Sequence, residues 1–192
     1  MSEKQRLLEA AVDYVADQGI GEKSLRQLAA ALGTSHRMLI YHFGSKEGLL
    51  VEIIKTVEAR QLAVLADLAE VEGESPGDAA RRFWQRIANP ALWPNERLFF
   101  EVYGQALQGR PGTTHLLDDV IHSWVRPLTE MIAAQGFPAE QAQNLARLGL
   151  ATSRGLLLDL LATGDRAGVD AAMEQFITMY EAQLPGRATP LS

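Results

Sequence analysis

The chain has 192 residues, 47% hydrophobic and 22% charged, which suits one large domain or a small domain joined to a larger one with a sizeable core. The absence of cysteine excludes disulfides, zinc–cysteine sites and thiol catalysis, and no apolar run approaches the roughly 18 residues needed to span a bilayer. A net charge of −6 argues against a surface that coats nucleic acid all over, and a start, "MSEKQRLLEA", without the apolar stretch of a secretory signal leads us to expect a cytoplasmic protein with no membrane partner.

No alternating apolar run is bounded by turns, so strands are not expected, whereas helical periodicity recurs throughout. Leu8, Ala11, Val12 and Val15 form a first apolar stripe that Gly19 ends. Leu25, Leu28, Ala29 and Leu32 form a second, opened by Ser24 and Gln27 at capping-box spacing and closed by Gly33. Ser35 can cap a third, very short helix running to about Phe43. Ser45 can cap a fourth, with Leu49, Leu50, Ile53, Ile54 and Val57 on its stripe, continuing to about Glu70 over about 36 Å. Turn signals at "EGESPGD", "NPALWPN", "QGRPGTT", "QGFP" and "TGDRAG" cut residues 75–184 into about five more helices. The expected fold is all-α, about nine helices, without repeats, and a tail over 185–192 that we expect to be disordered.

The second and third helices, separated by "GTS", have the form of a helix-turn-helix, in which the second helix enters the major groove. Leu28, Ala29, Leu32, Leu39 and Phe43 are spaced to bury one side of the pair, leaving His36, Arg37, Met38, Tyr41 and His42 to face base edges and phosphates. From Lys23 to Lys46 the chain carries Lys23, Arg26, Arg37, Lys46 and two histidines but no carboxylate. A polyanion requires such a window, because a carboxylate facing phosphates is repelled. The alternative is a helical hairpin that lacks acids by chance, and packing at the helix junction competes with DNA contact for His42.

The order of residues goes further. "LLEAAVDYVADQGIGEKSLRQLAAALGTSHRMLIYHFGSKEGLL" resembles the N-terminal DNA-binding domain of the TetR family of bacterial transcriptional regulators. The likeness covers about residues 3–54 and is carried by Ala10, Ala11, Gly19, Ser24, Leu25, Leu28, Ala29, Gly33, Ser35, Leu39, Phe43 and "SKEGLL" from Ser45. It departs from the family at Arg37, where a small residue is usual, and at Ile40, where an aromatic is usual. The resemblance implies that Ser24 and Arg26 anchor the second helix, that His36 and Arg37 read bases, and that Lys46 meets a phosphate. Ser35, at the head of the reading helix, completes the candidate DNA-contacting set. It also implies a DNA-binding domain over residues 1–46 and an effector-binding and dimerisation domain over 47–184. The rest of the chain matches the family only in length and helical character.

In that larger region aromatics concentrate between residues 83 and 124. Trp84, Phe100, Tyr103 and Trp124 are candidates for a mostly apolar effector pocket, against plain core packing as the alternative. "HLLDDVIH" places His115, Asp118, Asp119 and His122 on one face of an expected helix; a solvated face is the better reading, and no metal or cofactor is expected. Arg154 and Asp159 sit in a strongly apolar stretch, where an effector contact or an exposed edge position would each fit. The last two helices carry apolar stripes, Leu148, Thr152 and Gly155 on one and Val169, Met173, Phe176, Ile177 and Tyr180 on the other, which the resemblance makes a homodimer interface, with burial in the domain's own core as the competing view. No phosphate loop, serine elbow or other catalytic motif is present. The expectation is a non-enzymatic regulator, a repressor released from palindromic double-stranded operator DNA by a small molecule. The alternatives are a regulator without small-molecule control and a helical interaction protein.

Overall fold

A computed structural model describes residues 1–20, 23–69 and 75–185. Among them are nine α-helices, two short 3-10 turns and no strand. The helices are α1 (Glu3–Gln18), α2 (Leu25–Ala31), α3 (His36–Phe43), α4 (Lys46–Ala69), α5 (Pro76–Ile87), α6 (Trp93–Leu107), α7 (His122–Ala133), α8 (Ala139–Thr163) and α9 (Arg166–Glu181). The all-helical expectation holds. Of the expected disordered tail only Pro185 lies within the described residues.

Local chemistry sets the helix starts. Ser24 Oγ accepts from the Gln27 amide at 3.3 Å while Gln27 Oε1 accepts from the Ser24 amide at 2.8 Å, the reciprocal box read from sequence. Ser2 and Gln5 make the same box at α1, and Ser35, Ser45 and Ser75 each accept an amide of the turn they precede. The α1 stripe is turned by one position from expectation: Leu7, Ala11, Val12 and Val15 are buried, and Leu8 is only half-buried.

The chain forms two compact units, Met1–Gln61 with Pro90–Val120, and Leu62–Asn89 with Ile121–Ser192. In the first, α2 packs on α3 and α6 packs on α1. Its buried residues include Leu7, Leu28, Leu39, Leu49, Ile53, Leu98 and Val102. In the second, α8 packs against α7 and α9, and α9 also packs against α5. Trp124, Val125, Ile132, Phe137, Leu145 and Leu150 form its core, joined by the half-buried Phe83 and Tyr180.

Polar contacts fasten α5 to α9. Trp84 Nε1 donates to Asp170 Oδ1 at 2.7 Å, and Arg166 holds the same carboxylate while its Nη1 donates to the Ala88 carbonyl at 3.0 Å. Arg81 reaches Asp78, Glu174 and Glu181 at 3.1, 2.7 and 3.1 Å. The Ser75 hydroxyl and Arg81 hold the Asp78 carboxyl below the ordinary carboxylate range, and Arg81 does the same for Glu174. Groups whose folded pKa is depressed stabilise the fold above their unfolded values and lose that contribution as pH falls through the folded ones. The thermal midpoint should therefore fall as pH drops below the ordinary values of 4.5 for Glu174 and 3.8 for Asp78. Arg81→Met should show a shallower fall over that window; circular dichroism melts at pH 7 and below 4.5 check this, and parallel curves for the two proteins would exclude the network as the cause.

Candidate nucleic-acid interface

Helix α3 is eight residues long, too short to persist unsupported. It is held by burial of Leu39 and Phe43 against a unit that also buries Leu28 and Ala29 of α2. Gly33, at φ +64, lets the chain reverse between the two helices, and the Thr34 amide returns to the Ala29 carbonyl at 2.9 Å. Leu39 and Phe43, four apart, share the buried face, which turns Arg37 and Tyr41 to the opposite side; His36 and Ile40, at the border between the two, are exposed as well. Met38 and His42 are half-buried at the edge of that face. His42 packs between Tyr41, ring centroids 4.9 Å apart, and Phe43, and its Nε2 is buried without a hydrogen-bond partner. The structure thus favours the junction role for His42. Ile40 was not among the candidates, although its spacing from Arg37 and Tyr41 places it on the same exposed face.

The hydroxyls of Ser24 and Ser35 are engaged in capping, so what these residues contribute first is the start of each helix. The charges divide in a telling way. Four acids near the reading unit are paired: Glu3 with Arg6, Glu9 with Arg60, Glu52 with Lys4 at 3.2 Å, and Glu47 with Arg110 at 3.2 Å, while Asp13 and Asp17 of α1 are exposed. The start of α4 holds the Glu47 carboxyl below its ordinary range, chiefly through its own backbone amide, with Arg110 and Ser45 adding to the effect. Lys23 lies over the Tyr14 ring, 5.7 Å from its centroid. Arg26, Arg37 and Lys46, in contrast, make no ion pair among the described residues. Four acids are thus compensated, and three bases are left for an external anion.

The effector candidates divide between the two units. Phe100 and Tyr103 belong to the first unit and Trp84 and Trp124 to the second. Trp84 is spent on Asp170, and Trp124 is a core residue beside Phe83, ring centroids 5.8 Å apart. The ring that lines a recess in the first unit is Phe99, stacked at 5.5 Å on Tyr103. That recess lies between α4 (Ile53, Ile54, Val57, Glu58) and α6 (Asn95, Glu96, Leu98, Phe99). An open groove along α5 and α9, of about 400 Å³, is floored by Trp84 and Met173 and rimmed by the ion-paired Arg81 and Arg166. Residues 117–121 are turns, so the expected helix through "HLLDDVIH" does not exist: α7 starts at His122, and no metal-ligating cluster occurs among the described residues. Arg154 is half-buried and Asp159 exposed on α8.

The dimer candidates separate into two sets. Val169, Met173 and Ile177 are buried in the unit's own interior, and Tyr180 stacks on Phe137 and donates its hydroxyl to Gln135. Within their own unit, Val169, Met173 and Ile177 thus take the competing, inward place, and Tyr180 is half-buried against the core; the polar clasp to α5 holds α9 in this rotation. Gly155 is exposed, Thr152 and Phe176 are half-buried, and Leu148 is 52% exposed. Leu158 at 50% and Met179 at 57%, neither expected, continue the outward apolar stripes of α8 and α9.

Residues 7–53 match the family described as bacterial regulatory proteins, tetR family. The chain is 32% identical over 111 residues to the HTH-type transcriptional regulatory protein RaaS of Mycobacterium tuberculosis (strain ATCC 25618 / H37Rv), a match covering 45% of this chain and 52%, about half the length, of that protein. Its fold is shared with a transcriptional regulator from Rhodococcus sp. Rha1, at TM-score 0.76 and 21% identity over 98% of this chain and 100% of the other. A regulator from Saccharomonospora viridis, crystallised in complex with choline, superposes at TM-score 0.67 and 24% identity over 94% and 96%. No helix among the described residues is long and apolar enough to cross a membrane.

The exposed, unpaired Arg37 and the half-buried Lys46 at the head of α4 should behave differently. Arg37→Ala should weaken DNA binding by about 1–3 kcal/mol and relax base preference at one position, as expected of a base contact. Lys46→Ala should weaken binding to all sequences alike and lower the salt slope by about one. Fluorescence anisotropy at matched ionic strength measures both; unaltered affinity in the two variants would sink the assignment.

Proposed function

From the match of residues 7–53 to the tetR family of bacterial regulatory proteins, we propose that the chain is a member of that family, a sequence-specific, DNA-binding transcriptional repressor that works as a homodimer and is controlled by a small molecule. The observation that carries the DNA-binding part is the α3 face, where Arg37 and Tyr41 project from an acid-free helix and the neighbouring Glu3 and Glu47 are already paired. Arg37 and His36 take bases, Arg26 and Lys46 take phosphates, and Tyr41 and Ile40 supply apolar contact to base edges. Residues 1–46 form the DNA-binding domain, and the remainder carries control and assembly.

One short reading helix makes too few contacts for useful specificity, so a dimer reading two half-sites of a palindrome is the physical requirement. The outward stripes of α8 and α9, with Leu148, Thr152, Gly155, Leu158, Phe176 and Met179, supply an isologous apolar surface for it. Control uses the recess between α4 and α6. Helix α4, which supplies one wall, begins at Lys46, three residues past the end of α3, and α6, which supplies the other, packs on α1. A ligand that parts these walls moves the reading head, and it shifts the population away from the DNA-competent state by as much as it prefers the opened one. The choline bound by one structural relative supports a small organic effector.

Two measurements test this. The purified chain should select a short palindromic sequence from genomic fragments and sediment as a dimer on it. Leu158→Asp with Met179→Asp should yield a folded, helical monomer whose operator affinity falls by at least about tenfold, because both exposed sites tolerate charge in the monomer while a buried unpaired charge disfavours the dimer. A wild-type protein that sediments as a monomer at micromolar concentration, or a double variant that still dimerises, would remove the proposed interface. A protein that selects no DNA would leave the helical interaction protein as the better reading.

A further inference from the structure

The segment that follows α6 is locked by two successive turns. The Gly109 amide returns to the Ala106 carbonyl at 2.9 Å and the Arg110 amide to the Gln105 carbonyl at 3.0 Å, which closes the helix with Gly109 at φ +73. Arg110, Pro111, Gly112 and Thr113 then form a second turn, in which the Thr113 amide and hydroxyl both donate to the Arg110 carbonyl, at 3.2 and 2.8 Å. Proline in its second position and Gly112 at φ +85 in its third are what a type II turn requires. Thr113 is fully buried and anchors the turn in the first unit.

This turn sits on the first turn of α4. A Cβ at Gly112 would lie 3.1 Å from Glu47 Cβ, so the glycine permits an approach that a side chain would push apart. From there Arg110 Nη2 donates to Glu47 Oε1 at 3.2 Å. The pair is solvated, its side chains 55% and 24% exposed, and contributes little to stability. Its place in the fold says more. Glu47 is the first acid beyond the acid-free window and stands next to Lys46, which makes no ion pair among the described residues. The Glu47 carboxyl, held below its ordinary range, is charged at neutral pH. Consecutive Cα atoms are about 3.8 Å apart, inside the screening length of about 8 Å, so an uncompensated carboxylate at position 47 acts on a phosphate held at position 46.

We propose that Arg110 is a positioning residue for the phosphate contact of Lys46. It draws the Glu47 carboxylate toward the turn and balances its charge, so that the head of α4 meets DNA as a cation. Arg110 acts through Glu47 and does not itself touch the phosphate. This rests on the DNA-binding reading above and adds a residue from outside the DNA-binding domain that the reading surface requires.

The test uses the full chain with two duplexes, one carrying the sequence it selects and one with that sequence scrambled, and reads anisotropy at several salt concentrations. Arg110→Gln should weaken binding to both duplexes alike by about fivefold, the effect of roughly one unit charge a few Å from a phosphate in water, and the loss should shrink as salt is raised. Glu47→Gln in the Arg110→Gln background should restore the wild-type affinity, and Arg110→Lys should retain it. Circular dichroism should show the same helicity in every variant. A loss that persists in the double variant would make Arg110 a direct contact or a packing group and overturn the inference while leaving DNA binding intact. So would an Arg110→Gln protein that binds like wild type, one that loses helicity, or one that loses only its preference for the selected sequence. A wild-type chain that binds neither duplex would remove the DNA-binding reading and this inference with it.

Discussion

Burial of Leu39 and Phe43 is the contact on which the reading surface depends. An eight-residue helix forms too few internal hydrogen bonds to offset the entropy of ordering it, so α3 exists because these two side chains leave water. Their burial also fixes the rotation of α3 about its axis. A turn of one residue, about 100°, would exchange buried for exposed positions and carry Arg37 and Tyr41 off the face. The turn at Gly33 and the caps at Ser24 and Ser35 then set where each helix starts, so a small hydrophobic contact with three local hydrogen-bonded devices positions the exposed groups of α3.

Electrostatics acts on that geometry. Exposed ion pairs such as Glu3–Arg6 and Glu52–Lys4 stabilise a fold only slightly. Their larger effect is on the field, because each removes an uncompensated carboxylate from the neighbourhood of the reading helix. With a screening length of about 8 Å at physiological salt, the acidic remainder of the chain is not felt there, and the local balance decides. This is how a chain of net charge −6 can present a cationic face.

The recess between α4 and α6 is joined to the same face through covalent and packing connections within one compact unit. Helix α4 follows α3 after two residues, and α6 lies on α1. The Glu47–Arg110 pair joins the first turn of α4 to the segment after α6. Helices transmit displacement with little loss because they are stiff, so a group admitted between α4 and α6 acts on Lys46 and on the orientation of α3 together. In the second unit the polar clasp of α5 on α9 has an analogous fixing role: it commits Val169, Met173 and Ile177 to the interior and leaves Phe176 and Met179 on the outer side.

Helix number, helix caps, the helix-turn-helix and the acid-free window were legible in the amino-acid order, since each depends on residues three or four apart or on composition. Such signals are local, and the chain alone determines them. Which stripe of an amphipathic helix faces inward is not local when two stripes are apolar. Helix α9 carries Val169, Met173 and Ile177 on one side and Ala172, Phe176 and Met179 on another, and periodicity treats them alike. The tertiary structure decided between them through Asp170 and Glu174, whose partners Trp84 and Arg81 lie more than eighty residues away in the chain. The same holds for the aromatics: of Trp84, Phe100, Tyr103 and Trp124, which aromatic density picked out, Trp84 and Trp124 serve the second unit's own packing, and a recess in the first lies where α6 sets Asn95 and Glu96 against α4. Only tertiary packing decides whether a polar side chain is buried, because burial is a property of what surrounds the residue and not of the residue itself.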